Sequence, residues 1–68
     1  MYRYYCIIHQ PLEGTIPEHY YHSKTFFERV YIPEIDRLVW GWVEYKEELT
    51  PKEIADYELI MQPREVEP

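Results

Sequence analysis

Residues 38–47, "LVWGWVEYKE", carry the strongest strand signal in the chain. β-Branched and aromatic residues favour extended structure, and successive side chains of a strand point to opposite faces. The two faces of this strand carry Leu38, Trp40 and Trp42 on one side and Val39, Gly41, Val43 and Tyr45 on the other. A sheet with water on one side alternates apolar and polar residues. Since both faces are apolar here, we expect both to be covered.

Proline-containing segments separate the elements that are predicted before this strand. "YRYYCII", residues 2–8, is dense in aromatic and β-branched residues and predicts a strand, and residues 9–18 predict a loop. Residues 19–32 fit either a strand, by composition, or a helix, by the spacing of their apolar residues. Pro33 ends either element, and residues 33–37 predict a turn.

The segment after the strand begins with residues that are typical of a helix N-terminus. Thr50 fits the N-cap, Pro51 the first helical position and Glu53 the reciprocal acceptor of a capping box. The helix is expected from Lys52 to about Asp56. Residues 57–62 can continue the helix or return as a strand. We favour the strand, because the apolar residues 59–61 keep no single helical stripe.

The predicted fold class is α+β: a small, mainly antiparallel β-sheet with one short C-terminal helix. Residues 1–62 form a single small domain, and residues 63–68 form a solvated C-terminal tail. A chain of 68 residues buries only about 60% of its unfolded surface, so its core is marginal. A single cysteine excludes an intramolecular disulfide and fits the reducing cytoplasm. No apolar run reaches the roughly 18 residues that would span a bilayer.

The net charge of −6 is unevenly distributed. Residues 1–43 carry five acids against four bases, whereas residues 44–68 carry eight acids against three bases. Nucleic-acid binding draws most of its affinity from Lys and Arg that neutralise phosphates. Direct nucleic-acid binding is therefore not expected.

The only cysteine and all three histidines lie within residues 6–22, as C-x-x-H (Cys6, His9) and H-x-x-H (His19, His22). Four Cys and His ligands in two pairs are typical of structural zinc. However, positions three apart on a strand face opposite sides, so Cys6 and His9 converge only if the chain turns at Ile8. We interpret the pattern as coincidental and predict no metal and no cofactor. A small zinc-stapled domain with these four ligands stays as an alternative.

The chain offers little for catalysis. Ser23 is its only serine, and adjacency to His22 prevents that imidazole from aligning with the hydroxyl. Two glycines are too few for a phosphate-cradling loop. We therefore predict that the protein is not an enzyme.

The block "WGWVEYKEELTPKEIADYELI", residues 40–60, resembles segments of small proteins from mobile elements of Gram-positive gut bacteria. Those segments share an aromatic-Gly-aromatic strand, then "LT", an acidic helix start and "DYEL". The matching positions are Trp40, Gly41, Trp42, Glu44, Tyr45, Leu49, Thr50, Asp56, Tyr57, Glu58 and Leu59. The resemblance implies a genomic setting and transfers no catalytic residue.

The aromatic content, 18% of the residues, suggests a function in binding. Leu38, Trp40 and Trp42 are predicted to form a partner-binding surface, because tryptophan is enriched at interface hot spots. The function predicted is a non-enzymatic protein–protein interaction module, an accessory protein of a mobile element that binds another protein or itself as a homodimer. Two alternatives stay open. Loop aromatics could cover this face, namely Tyr20, Tyr21, Phe26 and Phe27. The acids could instead mimic nucleic acid and inhibit a DNA-binding defence enzyme.

Overall fold

A computed structural model describes residues 1–63. The elements follow in the order β1 (Tyr2–Cys6), β2 (His22–Ile32), β3 (Arg37–Tyr45), α1 (Pro51–Asp56) and β4 (Leu59–Met61). They form one sheet in the order β2-β3-β1-β4, in which every neighbouring pair is antiparallel. The predicted α+β class, with a mainly antiparallel sheet and one short helix, is confirmed.

One face of the sheet carries the hydrophobic core. Tyr4 and Cys6 of β1 pair with Val43 and Gly41 of β3, and Leu59 of β4 pairs with Cys6. The loop after β1 and the segment before α1 cover this face. The core cluster comprises Tyr4, Cys6, Ile16, Val43, Tyr45, Leu49 and Leu59. All of these side chains are buried, so the loop 9–18 belongs to the core rather than to the opposite face.

Two buried tyrosine hydroxyls attach these covering segments to the sheet. The Tyr45 hydroxyl donates to the Pro17 carbonyl at 2.7 Å, and the Tyr4 hydroxyl accepts from the Leu49 backbone N–H at 2.8 Å. A buried backbone group without a partner would cost about 1–3 kcal/mol. Each tyrosine therefore contributes both apolar area and a hydrogen bond that holds a loop in place.

The β2–β3 hairpin contains a large bulge. Thr25 pairs with Gly41 and Val30 with Val39, so residues 26–29 all stand opposite Trp40. Bulges bend a strand and increase its twist. A Cβ atom on Gly41 would lie 2.1 Å from the Lys24 carbonyl oxygen and 2.8 Å from Pro11 Cδ. Only glycine permits this close approach.

The far end of the hairpin folds back along the sheet. The Gln62 side chain donates to Glu34 at 3.4 Å, and the Gln62 backbone N–H donates to the Arg3 carbonyl. Arg3 pairs with Glu44 of β3. Glu44 is seven residues from Arg37, the first residue of β3, so a straight strand would separate these two residues by roughly 23 Å. Since Glu34 lies just before Arg37, β3 must bend to bring the turn beside Gln62.

The helix start is confirmed in detail. The Thr50 hydroxyl accepts from the Glu53 N–H at 3.1 Å, Glu53 Oε1 accepts from the Thr50 N–H at 3.0 Å, and Pro51 opens the helix. Residues 22–32 are a strand, which settles the ambiguity of 19–32, and the strand favoured within 57–62 is β4.

Two predicted boundaries were wrong. β1 ends at Cys6 instead of residue 8, because the chain bends into the loop that packs Pro11 on Gly41, and β3 ends at Tyr45 instead of residue 47. Beyond Pro63, the predicted tail lies outside the described residues. Within residues 1–63, no helix has the length and apolar character needed to cross a membrane.

Candidate functional site

The face of β3 opposite the core carries the predicted surface residues Leu38, Trp40 and Trp42. The ring of Trp42 is stacked under Arg3, whose Cζ lies 3.9 Å from the ring centroid. The same guanidinium donates from Nη2 and Nε to Glu44 Oε2 at 3.0 and 3.2 Å. Trp42 is therefore half-buried beneath an ion pair rather than presented as a bare ring.

His22 borders the same tryptophan. Its ring meets the Trp42 ring edge-on at 5.4 Å, and its Nδ1 lies 3.6 Å from Glu44 Oε1. Arg3, His22, Trp42 and Glu44 form one polar-aromatic group on this face. Because Arg3 and His22 both contact the Glu44 carboxylate, the group has a defined geometry. It presents charged groups and an aromatic ring on one surface.

Trp40 and Leu38 lie towards the hairpin turn. The Arg29 Cζ lies 5.6 Å from the Trp40 ring, which is also half-buried. Leu38 pairs with Tyr31, and both are about half exposed (45% and 52%). The Tyr31 hydroxyl donates to Asp36, and that hydrogen bond raises the pKa of Tyr31. Of the three predicted residues, Leu38 is thus open to solvent and both tryptophans lie beside arginines.

Three of the four aromatic residues named as possible covers do not cover this face. Tyr20, Tyr21 and Phe27 are exposed, so the alternative was wrong for these three, whereas Phe26 is half-buried. Tyr5, which pairs with Trp42 and Ile60 on the same face, is nevertheless only 3% exposed. The centre of the face is therefore buried within the chain, and its open part lies towards Leu38.

Phe27 is the most exposed large hydrophobic residue in the described part of the chain, and the sequence alone did not place it at a site. It lies in the bulge of β2 and is fully exposed, and Val30 nearby is 41% exposed. The preceding Phe26 is half-buried, and its carbonyl accepts from Gln10 Nε2 at 3.1 Å. The only sequence signal was the conflict between strand and helix periodicity over residues 26–31, which arises because a bulge breaks the two-residue alternation.

The structure does not bring the cysteine and the histidines together. Cys6 lies in the core, where burial raises the pKa of its thiol to about 12, and His22 lies on the opposite face beside Glu44. The His19 ring lies 5.3 Å from the Tyr45 ring, and His9 Nδ1 is buried without a hydrogen-bond partner among the described residues 1–63. Within residues 1–63, no three Cys, His, Asp or Glu side chains are grouped so that they could hold a metal ion.

The acidic segment lies away from the bulge. Residues 46–58 carry five acids against two bases and leave β3 at its Glu44 end. Helix α1 then packs against β4, at the sheet edge opposite β2. Lys52 and Asp56 form an ion pair at 2.7 Å, which neutralises one of the acids. The molecule therefore has an acidic edge at α1 and an aromatic edge at β2.

Residues 1–64 match the model of the protein family described as Defence against restriction A C-terminal. The chain belongs to this family. Defence against restriction A C-terminal is associated with phages and mobile elements, which confirms the mobile-element setting. The Gram-positive gut host stays a prediction. Neither the curated proteins nor the solved structures contain a match.

Proposed function

We propose that this domain is a non-enzymatic accessory module of a mobile element, and that it counters restriction by binding a protein component of a restriction system. Its family, which is named for defence against restriction, supports the anti-restriction role. Defence-against-restriction proteins of this kind are not known as enzymes. Restriction of incoming DNA takes place in the cytoplasm, so we expect the module to act there.

The contact surface we propose is Leu38, Trp40 and Trp42, together with the arginines that lie over the two rings. Trp, Tyr and Arg are the residues most enriched in interface hot spots. This face combines them in two arginine–tryptophan pairs beside the exposed Tyr31–Leu38 pair. That combination carries the proposal, because a partner can bury the apolar pair while the guanidinium groups supply directional hydrogen bonds.

Restriction complexes purified from the native host provide the test. The domain should bind one of them and reduce its cleavage of unmodified DNA. Leu38→Glu should abolish both effects, because it replaces an apolar contact side chain with a charged group that binding must desolvate. Tyr20→Ala, an exposed aromatic at the opposite end of the sheet, is the matched control and should behave as wild type. Wild-type binding that survives Leu38→Glu would exclude this surface, and a failure to bind any restriction component would refute the proposed function.

The acidic edge favours a second candidate, a nucleic-acid mimic that occupies the DNA-binding surface of a restriction enzyme. Such a surface is basic, because it neutralises phosphates, and five acids within residues 46–58 complement it. Binding of this kind falls steeply with salt and is competed by DNA. The combined Glu47→Gln, Glu48→Gln and Glu58→Gln variant should then lose inhibition, whereas Leu38→Glu should keep it. The opposite result favours the first candidate.

A further inference from the structure

We propose that the groove beside Leu38 binds an acidic segment of the partner protein, whose carboxylates pair with Arg29 and Arg37. This inference rests on the proposed function and names the chemistry that the partner presents to the contact surface. The groove is open to solvent and has a volume of about 450 Å³. Its lining includes Ile8, Arg29, Tyr31, Asp36, Arg37 and Leu38.

The apolar part of this groove is exposed. Ile8 is 54% exposed, and Leu38 and its strand partner Tyr31 are 45% and 52% exposed. Ile8 and the half-buried Trp40 also line a neighbouring depression, so the groove continues the proposed contact surface. Three adjacent apolar side chains that are open to solvent provide a place for an apolar side chain of the partner segment.

The two arginines of the groove have no acidic partner in the described part of the chain. Within residues 1–63, neither guanidinium donates a side-chain hydrogen bond or lies within ion-pair distance of a carboxylate. Acids nevertheless outnumber Lys and Arg by eleven to six over the same residues. Arg29 and Arg37 are both exposed. Since a guanidinium matches a carboxylate in a bidentate geometry, the pair is available to bind acids of another protein.

Charge within the groove favours an acidic segment, although the whole chain carries −6. The two arginines face one acid, Asp36, whose carboxylate already accepts from the Tyr31 hydroxyl. The other acids of the hairpin, Glu28 and Glu34, do not line the groove. Helix α1 lies beyond β4, which is three strand spacings, or about 14 Å, from β2. That distance exceeds the Debye length of about 8 Å at physiological ionic strength, so repulsion from the acidic edge is screened.

A nucleic-acid phosphate fits this surface less well than a carboxylate segment. Nucleic acid carries negative charge along its whole length. Beyond the two arginines, its backbone would therefore meet a chain with a net charge of −6. A peptide segment, in contrast, can confine its carboxylates to the groove and place an apolar side chain on Leu38.

Selection from short random peptides displayed on phage tests the occupant, because it assumes no ligand. The enriched peptides should combine Asp or Glu with a large apolar residue. Fluorescence polarisation of the labelled peptides then measures affinity for the purified domain. Arg29→Gln and Arg37→Gln should each weaken binding roughly tenfold, as loss of one charge-assisted hydrogen-bonded pair implies.

Lys46→Gln is the matched control. It removes one positive charge, as the arginine variants do, but it lies past the Tyr45 end of β3, whereas the groove lies at the Leu38 end. This variant should bind the peptides as wild type. Far-UV circular dichroism confirms that each variant is folded.

Three results would overturn the inference. The selection enriches no peptides or only peptides without acids, acidic peptides bind both arginine variants as tightly as wild type, or a short oligodeoxynucleotide binds the wild type and is lost by these variants. None of them affects capture of a restriction component through Leu38. Acidic peptides that bind at the arginines while no restriction component is captured would refute the proposed function alone, because the groove would keep its preference for an acidic segment.

Discussion

Replacing Gly41 with alanine should destabilise the domain by about 2 kcal/mol. Overpacking against rigid neighbours costs about 3 kcal/mol. Alanine offsets roughly 0.4–1 kcal/mol of that cost, because it restricts the unfolded chain. The added methyl would lie 2.1 Å from the Lys24 carbonyl oxygen, and the Pro11 ring blocks the other side at 2.8 and 2.9 Å. Ordinary contacts are about 3.5 Å or longer, so the carbonyl would have to move by more than about 1 Å. It cannot do so freely, because its strand is paired with β3 at Thr25 and Gly41.

Urea unfolding followed by far-UV circular dichroism measures this effect. Fluorescence is less suitable, because Trp40 and Trp42 flank the mutated residue. With a denaturant slope of about 1 kcal/mol/M for a domain this small, the midpoint should fall by about 2 M. Because small domains have only about 0.05–0.15 kcal/mol of stability per residue, that shift is a large part of the total.

Gly14→Ala separates steric overlap from backbone strain. Gly14 has φ of +87°, and a Cβ there meets no atom within 4 Å in the described part of the chain. Its substitution by alanine should cost about 1–2 kcal/mol through the left-handed backbone alone. The destabilisation by Gly41→Ala comes instead from steric overlap, which only a separation of β2 from β3 would relieve. A Gly41→Ala variant with the wild-type midpoint would show that the Lys24 carbonyl does not lie against Gly41.

Four further measurements address the core and the helix. Thr50→Ala should cost about 1 kcal/mol, the usual contribution of an N-cap oxygen, and an unchanged urea midpoint would argue against the capped helix. Tyr4→Phe should cost about 1–3 kcal/mol, because the buried Leu49 N–H loses its acceptor, and a neutral result would mean that water replaces the hydroxyl. The Cys6 thiol, whose pKa burial raises to about 12, should react with thiol reagents only after unfolding, and rapid labelling of the native protein would contradict its burial. The far-UV spectrum should be unchanged by excess EDTA, and unfolding by the chelator together with one bound zinc per chain would restore the zinc alternative.

Much of the local structure could be predicted because its causes lie within a few residues. The capping box depends on Thr50, Pro51 and Glu53, which are neighbours in the chain, so the helix start needed no tertiary information. The strand at residues 38–47 was recognisable from composition and alternation, and only its ends were misplaced. The opposite faces of β3 were likewise assigned correctly, because side-chain alternation is a property of any regular strand.

The site was harder to predict, because exposure depends on residues far apart in the sequence. The arginines over Trp42 and Trp40 come from β1 and from the bulge of β2, and nothing local pairs them with those rings. Phe27 was indistinguishable in sequence from the core aromatics. The bulge that exposes it exists because β2 has extra residues opposite Trp40, which only the register of two strands reveals.

The sequence by itself determined the class of fold, the capped helix and the acidic character of the C-terminal half. Strand propensity and helix capping depend on residues close together in the chain, and net charge is a sum over residues. Tertiary structure alone decided that β2 and β4 are the edges of the sheet, that the loop 9–18 covers the core face, and that Cys6 and His22 lie on opposite faces. Each of these depends on strand order and register, which set the distances between residues that are remote in the chain. Those distances separate an aromatic edge at β2 from an acidic edge at α1.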